Sequence, residues 1–179
     1  MSDTATRQIA AFAARTKWED IPDPVRHEAK RSLLNYFATA IAGSGEPAMD
    51  KSLAVMAPFS GAAVCGIIGR AERVDMPLAA YLNAVSANIF DFDDTHQATV
   101  IHPTAPIAPA LFAHAETQHC AGQTLLKAFV LGGEIECRIG NSVSPSHYAR
   151  GWHITSTCGI FGAASRFGVT DKSSDDQSL

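Results

Sequence analysis

The order of apolar and polar positions along the chain is dominated by a helical period. From Asp23 onward, Val25, Ala29, Leu33, Phe37, Ala40 and Ile41 fall on one stripe, which predicts a long amphipathic helix. Asp23 is placed to cap it, Pro24 suits its first turn and Gly43 suits its exit. A shorter helix is predicted before it, from Thr6 to Arg15, and another after it, over Ala48 to Ala57. Ala62 to Ile68 is the stretch with strand character, closed by a turn at Gly69 and Arg70.

The second half continues the period. Asp75 caps a helix predicted from Met76 to about Ile89, with Pro77 tolerated in the first turn. The next helix begins near Pro106 and Pro109 and runs to a break at Gly122. Gln123 to about Val143 forms another, although Gly132 and Gly133 lower its propensity; such a pair marks close helix packing. After a loop from Ser144 to Trp152, residues 153–168 read as a helix of small residues suited to tight packing. Residues 171–179 are polar, with no apolar face. The expected fold class is all-α: a helical bundle domain over residues 1–170 with one or two minor strands, then a polar connection over 171–179.

Composition narrows the function classes. The 179 residues are 46% hydrophobic and 18% charged, enough apolar side chain for one sizeable core and too much for a disordered chain. Lys and Arg total 14 against 18 Asp and Glu, and no basic block is present, so nucleic acid is not an expected partner. No window reaches the roughly 18 apolar residues of a membrane span, and Met1 to Lys17 lacks the pattern of a secretory leader. A soluble, cytoplasmic protein with no membrane partner is expected. Cys65, Cys120, Cys137 and Cys158 include no close pair of the kind that holds zinc or an iron-sulfur cluster, and read as small buried residues in a reducing compartment.

The chemistry concentrates in two places. Asp91, Asp93, Asp94, His96 and His102 put three carboxylates and two imidazoles within twelve residues, between two apolar helices. Crowded carboxylates raise one another's proton affinity and stabilise the charged form of an imidazole beside them, and such arrangements supply an acid and a base near neutral pH. The plain structural alternative is a capping loop in which Asp93 or Asp94 caps a turn. A divalent metal is a second chemical alternative, for a hydrolase or transferase. His96 and His102 are six apart, off any common helical face, and no Asp or Glu follows Asp94 before Glu116. The other cluster is Arg150, His153 and the start of the following helix, where a guanidinium fork, an imidazole and free amides can meet an anion. Cys158 reads as buried and inert rather than nucleophilic, and His27, His114, His119 and His147 as surface residues.

At these clusters the chain resembles the MmgE/PrpD family, which includes 2-methylcitrate dehydratase, cis-aconitate decarboxylase and iminodisuccinate epimerase. The likeness is carried by DFDDTHQATVIHPTAPIAPAL (91–111), ARGWHITSTCGIFGAA (149–164) and NYFATAIAGSGEPA (35–48). It implies an all-helical domain without the family's α+β lid, and so the N-terminal part of a longer protein. It also implies a cofactor-independent, 2-methylcitrate dehydratase-like lyase acting on a small di- or tricarboxylic acid, or an epimerase. Asp91, Thr95, His102 and His153 match the family's catalytic pattern; His102 and His153 would move protons, and Asp91 and Thr95 would orient them. Arg150 and His96 are candidates for binding the substrate's carboxylates. The family's lysines have no match among Lys17, Lys30, Lys51, Lys127 and Lys172. By the same resemblance the protein is a homodimer that binds a small polycarboxylate without metal or cofactor, and the chain alone is expected to be an inactive, truncated or assembly module.

Overall fold

The apolar stripes do assemble into helices that pack on one another. The computed structural model describes residues 4–164. In chain order these form α1 (Ala5–Arg15), α2 (Asp23–Gly43), α3 (Pro47–Met56), β1 (Cys65–Gly66), β2 (Arg73–Val74), α4 (Met76–Asn88), α5 (Thr104–Thr117), α6 (Gly122–Val143), α7 (Ser146–Ala149) and α8 (Ile154–Ala164). The described part is a helical bundle with one minimal hairpin, as the period predicts. Residues 171–179 and the end of the last predicted helix lie outside the described residues.

Several local expectations are corrected. Pro22, not Asp23, is the N-cap of α2 and gives no side-chain bond; Asp23 is the first helical residue and pairs with Arg26 at 3.1 Å. Val25 and Ile41 of the predicted stripe are exposed, whereas Tyr36 and Thr39 are buried with Ala29 and Ala40. The stripe is rotated because α2 is covered by both α4 and the α5–α6 pair. Gly43 serves a close crossing: a Cβ there would stand 2.1 Å from the Ser86 carbonyl oxygen of α4. The predicted strand shrinks to Cys65–Gly66, since only Arg73–Val74 lies opposite to pair with it. Asn83 of α4 holds this hairpin, accepting from the Ile68 amide at 2.8 Å and donating to the Gly66 carbonyl at 3.1 Å. The Asp75 cap is present, accepting from the Leu78 amide at 2.9 Å. The short α7 interrupts the predicted 144–152 loop.

Three apolar clusters fill the interior. The largest joins α2, α5 and α6 through Tyr36, Ile107, Leu111, Phe129 and Leu131, with Phe37 edge-on to both Tyr36 and Phe112 at 5.2 and 4.9 Å. A second packs Met49, Cys65, Ile67, Val74, Leu78 and Leu82 beneath the hairpin. The third is Ile101, Ile154 and Cys158 against Ile139 and Val143. This small cluster decides where the chemistry sits, because Ile101 is fully buried and anchors the α4–α5 loop to α6 and α8.

Candidate functional site

The loop between α4 and α5 is shaped by its own backbone. Asp91 leaves α4 at φ 57 and Val100 turns at φ 54. Aspartate tolerates this left-handed region, whereas a β-branched valine is strained there. The amide of His96 donates to the Ile101 carbonyl at 2.7 Å, and the amides of Thr99 and Val100 fold back on His96. The result is a tight turn with Ile101 pointing inward and His102 emerging beside it.

His102 is the hub. Its Nδ1 lies 3.1 Å from the Asp94 carbonyl oxygen, which can only accept, so Nδ1 carries a proton. Asp93 Oδ1 stands 3.4 Å from the same nitrogen, and Thr95 Oγ1 is 3.4 Å away, at the limit of hydrogen-bond reach. On the opposite edge of the ring, Nε2 faces Asp91 Oδ1 at 3.3 Å. The two aspartates differ sharply: the Asp91 side chain is 81% exposed and that of Asp93 2%. Burial raises the proton affinity of Asp93, against the lowering effect of the Asn88 amide and of His102. Asn88 donates to both Asp93 oxygens, at 3.1 and 3.0 Å. Each ring nitrogen thus has an aspartate oxygen beside it, the buried Asp93 at Nδ1 and the exposed Asp91 at Nε2.

Asp94 performs the structural task foreseen as the alternative for this loop. Its carboxylate accepts from the Thr104 amide at 3.1 Å and the Thr104 hydroxyl at 2.6 Å, capping the start of α5 across ten residues. His96 is not brought to His102; its Nδ1 pairs with Thr99 Oγ1 at 2.7 Å.

The second cluster reaches the first through Thr155, whose hydroxyl accepts from the His102 amide at 3.1 Å. His153 stands just ahead of α8, exposed, with Nδ1 accepting from the Ser156 amide at 3.4 Å. Arg150 is exposed at the end of α7. Among the described residues neither His153 nor Arg150 is bonded to the His102 group. His147, expected to be a surface residue, instead fastens α7 to α8: its Nε2 is 2.8 Å from Thr157 Oγ1, and its ring stacks on Trp152 at 5.9 Å. Burial pushes the Cys158 thiol upward and that of Cys137 to about 12, which leaves neither a ready nucleophile.

Asp91, Asp93 and His102 could offer a metal one atom each within 4.8 Å. Nδ1, however, is already committed to the Asp94 carbonyl and both Asp93 oxygens to the Asn88 amide, so the group fits proton handling better than chelation.

Residues that the sequence reading passed over are Asn88, Thr104, Thr155 and Glu136. Glu136 alone left a signal: it is an acid on the buried stripe of α6, in step with Phe129, Gly132 and Gly140.

Known proteins similar to this chain include cis-aconitate decarboxylases. A cis-aconitate decarboxylase-like protein, oryM of Aspergillus oryzae, is 30% identical over 156 residues, 83% of this chain and 32% of that protein. The cis-aconitate decarboxylase of Aspergillus terreus is 28% identical over 165 residues, 88% of this chain and 33% of the relative. That of Mus musculus is 28% identical over 171 residues, 92% and 35% respectively. The chain thus spans about a third of the length of the relatives it matches. The family model described as the MmgE/PrpD N-terminal domain matches residues 7–178, and the chain belongs to the MmgE/PrpD family.

Proposed function

We propose that this domain is part of a lyase that acts on a small di- or tricarboxylic acid by proton transfer next to a carboxylate, with no metal or organic cofactor in the step. The observation that carries the reading is the seating of His102, with one ring nitrogen donating to the Asp94 carbonyl and the other facing the exposed Asp91. With Nδ1 committed to that carbonyl, Nε2 is the nitrogen left to exchange a proton with a carbon of a bound acid. The names of the relatives favour decarboxylation over dehydration or epimerisation. In that reaction the bond to one carboxylate carbon breaks and carbon dioxide leaves. The electron pair spreads through the adjacent double bond toward a remaining carboxylate, and a proton from His102 or His153 is taken up by carbon. Arg150 is assigned to a substrate carboxylate, with His96 as a further contact, and Asp91 and Thr95 orient His102.

The test is turnover of cis-aconitate and 2-methylcitrate by the full-length enzyme that carries this domain. His102→Gln and His153→Gln should each lower it by about a hundred- to ten-thousand-fold with the fold intact. His27→Gln and His119→Gln, both exposed and far from the loop in sequence, should be silent. Full activity in both site variants would remove the chemistry from this place. Activity abolished by a chelator and restored by a divalent ion would replace the mechanism with a metal-dependent one.

A further inference from the structure

Behind the His102 loop, one ionisable side chain sits where neither water nor a neighbour answers it. Glu136, in the middle of α6, is 0% exposed. Neither of its carboxyl oxygens has a hydrogen-bond partner among the described residues. Helix α8 crosses directly over it with glycines: a Cβ on Gly159 would stand 3.4 Å from Oε1, and one on Gly162 3.0 Å from Oε2. Pro106 and Ile107 of α5 close in beside those glycines and carry no charge. The titratable groups that face Glu136 are Asp94 from the loop, Cys137 beside it on α6 and Cys158 from α8. None of these supplies a positive charge. An ionised Glu136 would be a bare anion in an apolar seam, with a second anion nearby.

We propose that Glu136 is a positioning residue of the His102 site, a carboxylic acid kept protonated beneath α8 so that Asp94 faces no second negative charge. Asp94 matters because its carbonyl takes the Nδ1 proton of His102 and its carboxylate takes both donors of Thr104. Ionising Glu136 would set two carboxylates against each other. Ionisation would strain the Asp94 bonds, and with them the seat of His102, because Glu136 is fixed within a helix. Burial first, and the charge of Asp94 second, push the Glu136 carboxyl up to about 9, so the neutral acid prevails at physiological pH. The proposal rests on the lyase reading only for what the positioned ring does.

The ring nitrogens of His102 report on this directly. Histidine-labelled protein is followed by nitrogen NMR from pH about 6 to about 10.5, in the wild type and in Glu136→Gln, which keeps the shape of the neutral acid. The wild-type His102 Nδ1 signal should shift in a one-proton step centred at about 9. In Glu136→Gln this step near pH about 9 should be absent. Glu136→Met, uncharged and of similar length, makes the same comparison if the amide variant does not fold. The thiols do not confuse the step, since burial holds Cys137 up at about 12 and raises Cys158 as well. A wild-type His102 signal with no step near pH about 9, or the same step in the variant, overturns the proposal. Turnover measured on the full-length enzyme that carries this domain separates the two readings. The step without turnover of any di- or tricarboxylic acid sinks the lyase assignment and leaves the role of Glu136 standing; turnover with a flat signal does the reverse.

Discussion

Asp94 accepts hydrogen bonds from both the amide and the hydroxyl of Thr104, at 3.1 and 2.6 Å. The residue that caps α5 is therefore also the one whose carbonyl fixes the His102 ring. Removing the cap should unfix the ring. Asp94→Ala is expected to cost about 0.5–2 kcal/mol of stability, read from denaturant midpoints, and to broaden the His102 ring signals. Asp94→Asn keeps one acceptor and should fall between the two. An Asp94→Ala protein with wild-type stability and unchanged His102 signals would show that cap and ring are independent.

Most of the bundle was legible because long amphipathic helices announce themselves by period, and the predicted start of α4 and end of α6 agree with the structure to within a residue. The strand was legible in place but not in extent: Cys65–Gly66 falls inside the predicted stretch, and its pairing depends on Arg73–Val74, which carry no pattern of their own. The site was half legible. Asp91, Thr95 and His102 lie in one unusual run, and the fold brings them together. The burial that separates Asp93 from Asp91 and the reach of Thr155 to the His102 amide are set by tertiary packing, which periodicity does not encode. His153 and Arg150 were read from a motif, and among the described residues neither is bonded to the ring.

The glycine pair of α6 separates packing from propensity. A Cβ on Gly132 would meet the Gly162 carbonyl oxygen at 2.8 Å and Ile107 at 3.1 Å, whereas Gly133 has nothing within 4 Å. Gly132→Ala should destabilise by about 1–3 kcal/mol, because a backbone oxygen cannot step aside as a side chain can. Gly133→Ala should stabilise by about 0.5–1 kcal/mol, the ordinary helix preference of alanine over glycine. Thermal melts of the two variants decide it, and equal effects would mean that α6 and α8 do not approach as described.

Glu136 also gives the fold a pH dependence of known sign. Its folded-state affinity for a proton lies above the ordinary value of 4.5, at about 9, so between these values the folded state holds a proton that the unfolded chain has released. Stability from this group is intact below 4.5, falls as pH rises, and levels off above about 9, with the folding equilibrium weakening roughly tenfold per pH unit in between. Glu136→Gln removes the titration. Its advantage over the wild type in urea midpoint should therefore widen steadily from pH about 5 to about 9. A constant difference across that range would mean that the carboxyl is solvated or paired in solution.

The last expectation concerns the apolar face left open on the far side of α5. A groove of about 510 Å³ runs between α4, α5 and α8, lined by Met76, Pro77, Ala80, Pro106, Ile160 and Ala163 among others. Pro77 also borders a neighbouring hollow with Met56, Phe59 and Tyr81, so the two join into one apolar surface. Phe59 is 81% exposed and Ile160 62%, and exposed apolar side chains along a groove suit an interaction surface. A second copy of the chain supplies a matching apolar face under two-fold symmetry without any other component. Light scattering at micromolar concentration should then give about twice the 19.0 kDa mass of the chain. Ile160→Asp, a charge placed at the groove, should weaken the association at least about tenfold while leaving the helical circular dichroism unchanged. A clean monomer of the wild-type chain, or a dimer indifferent to Ile160→Asp and Phe59→Asp alike, would place self-association elsewhere or nowhere on this domain.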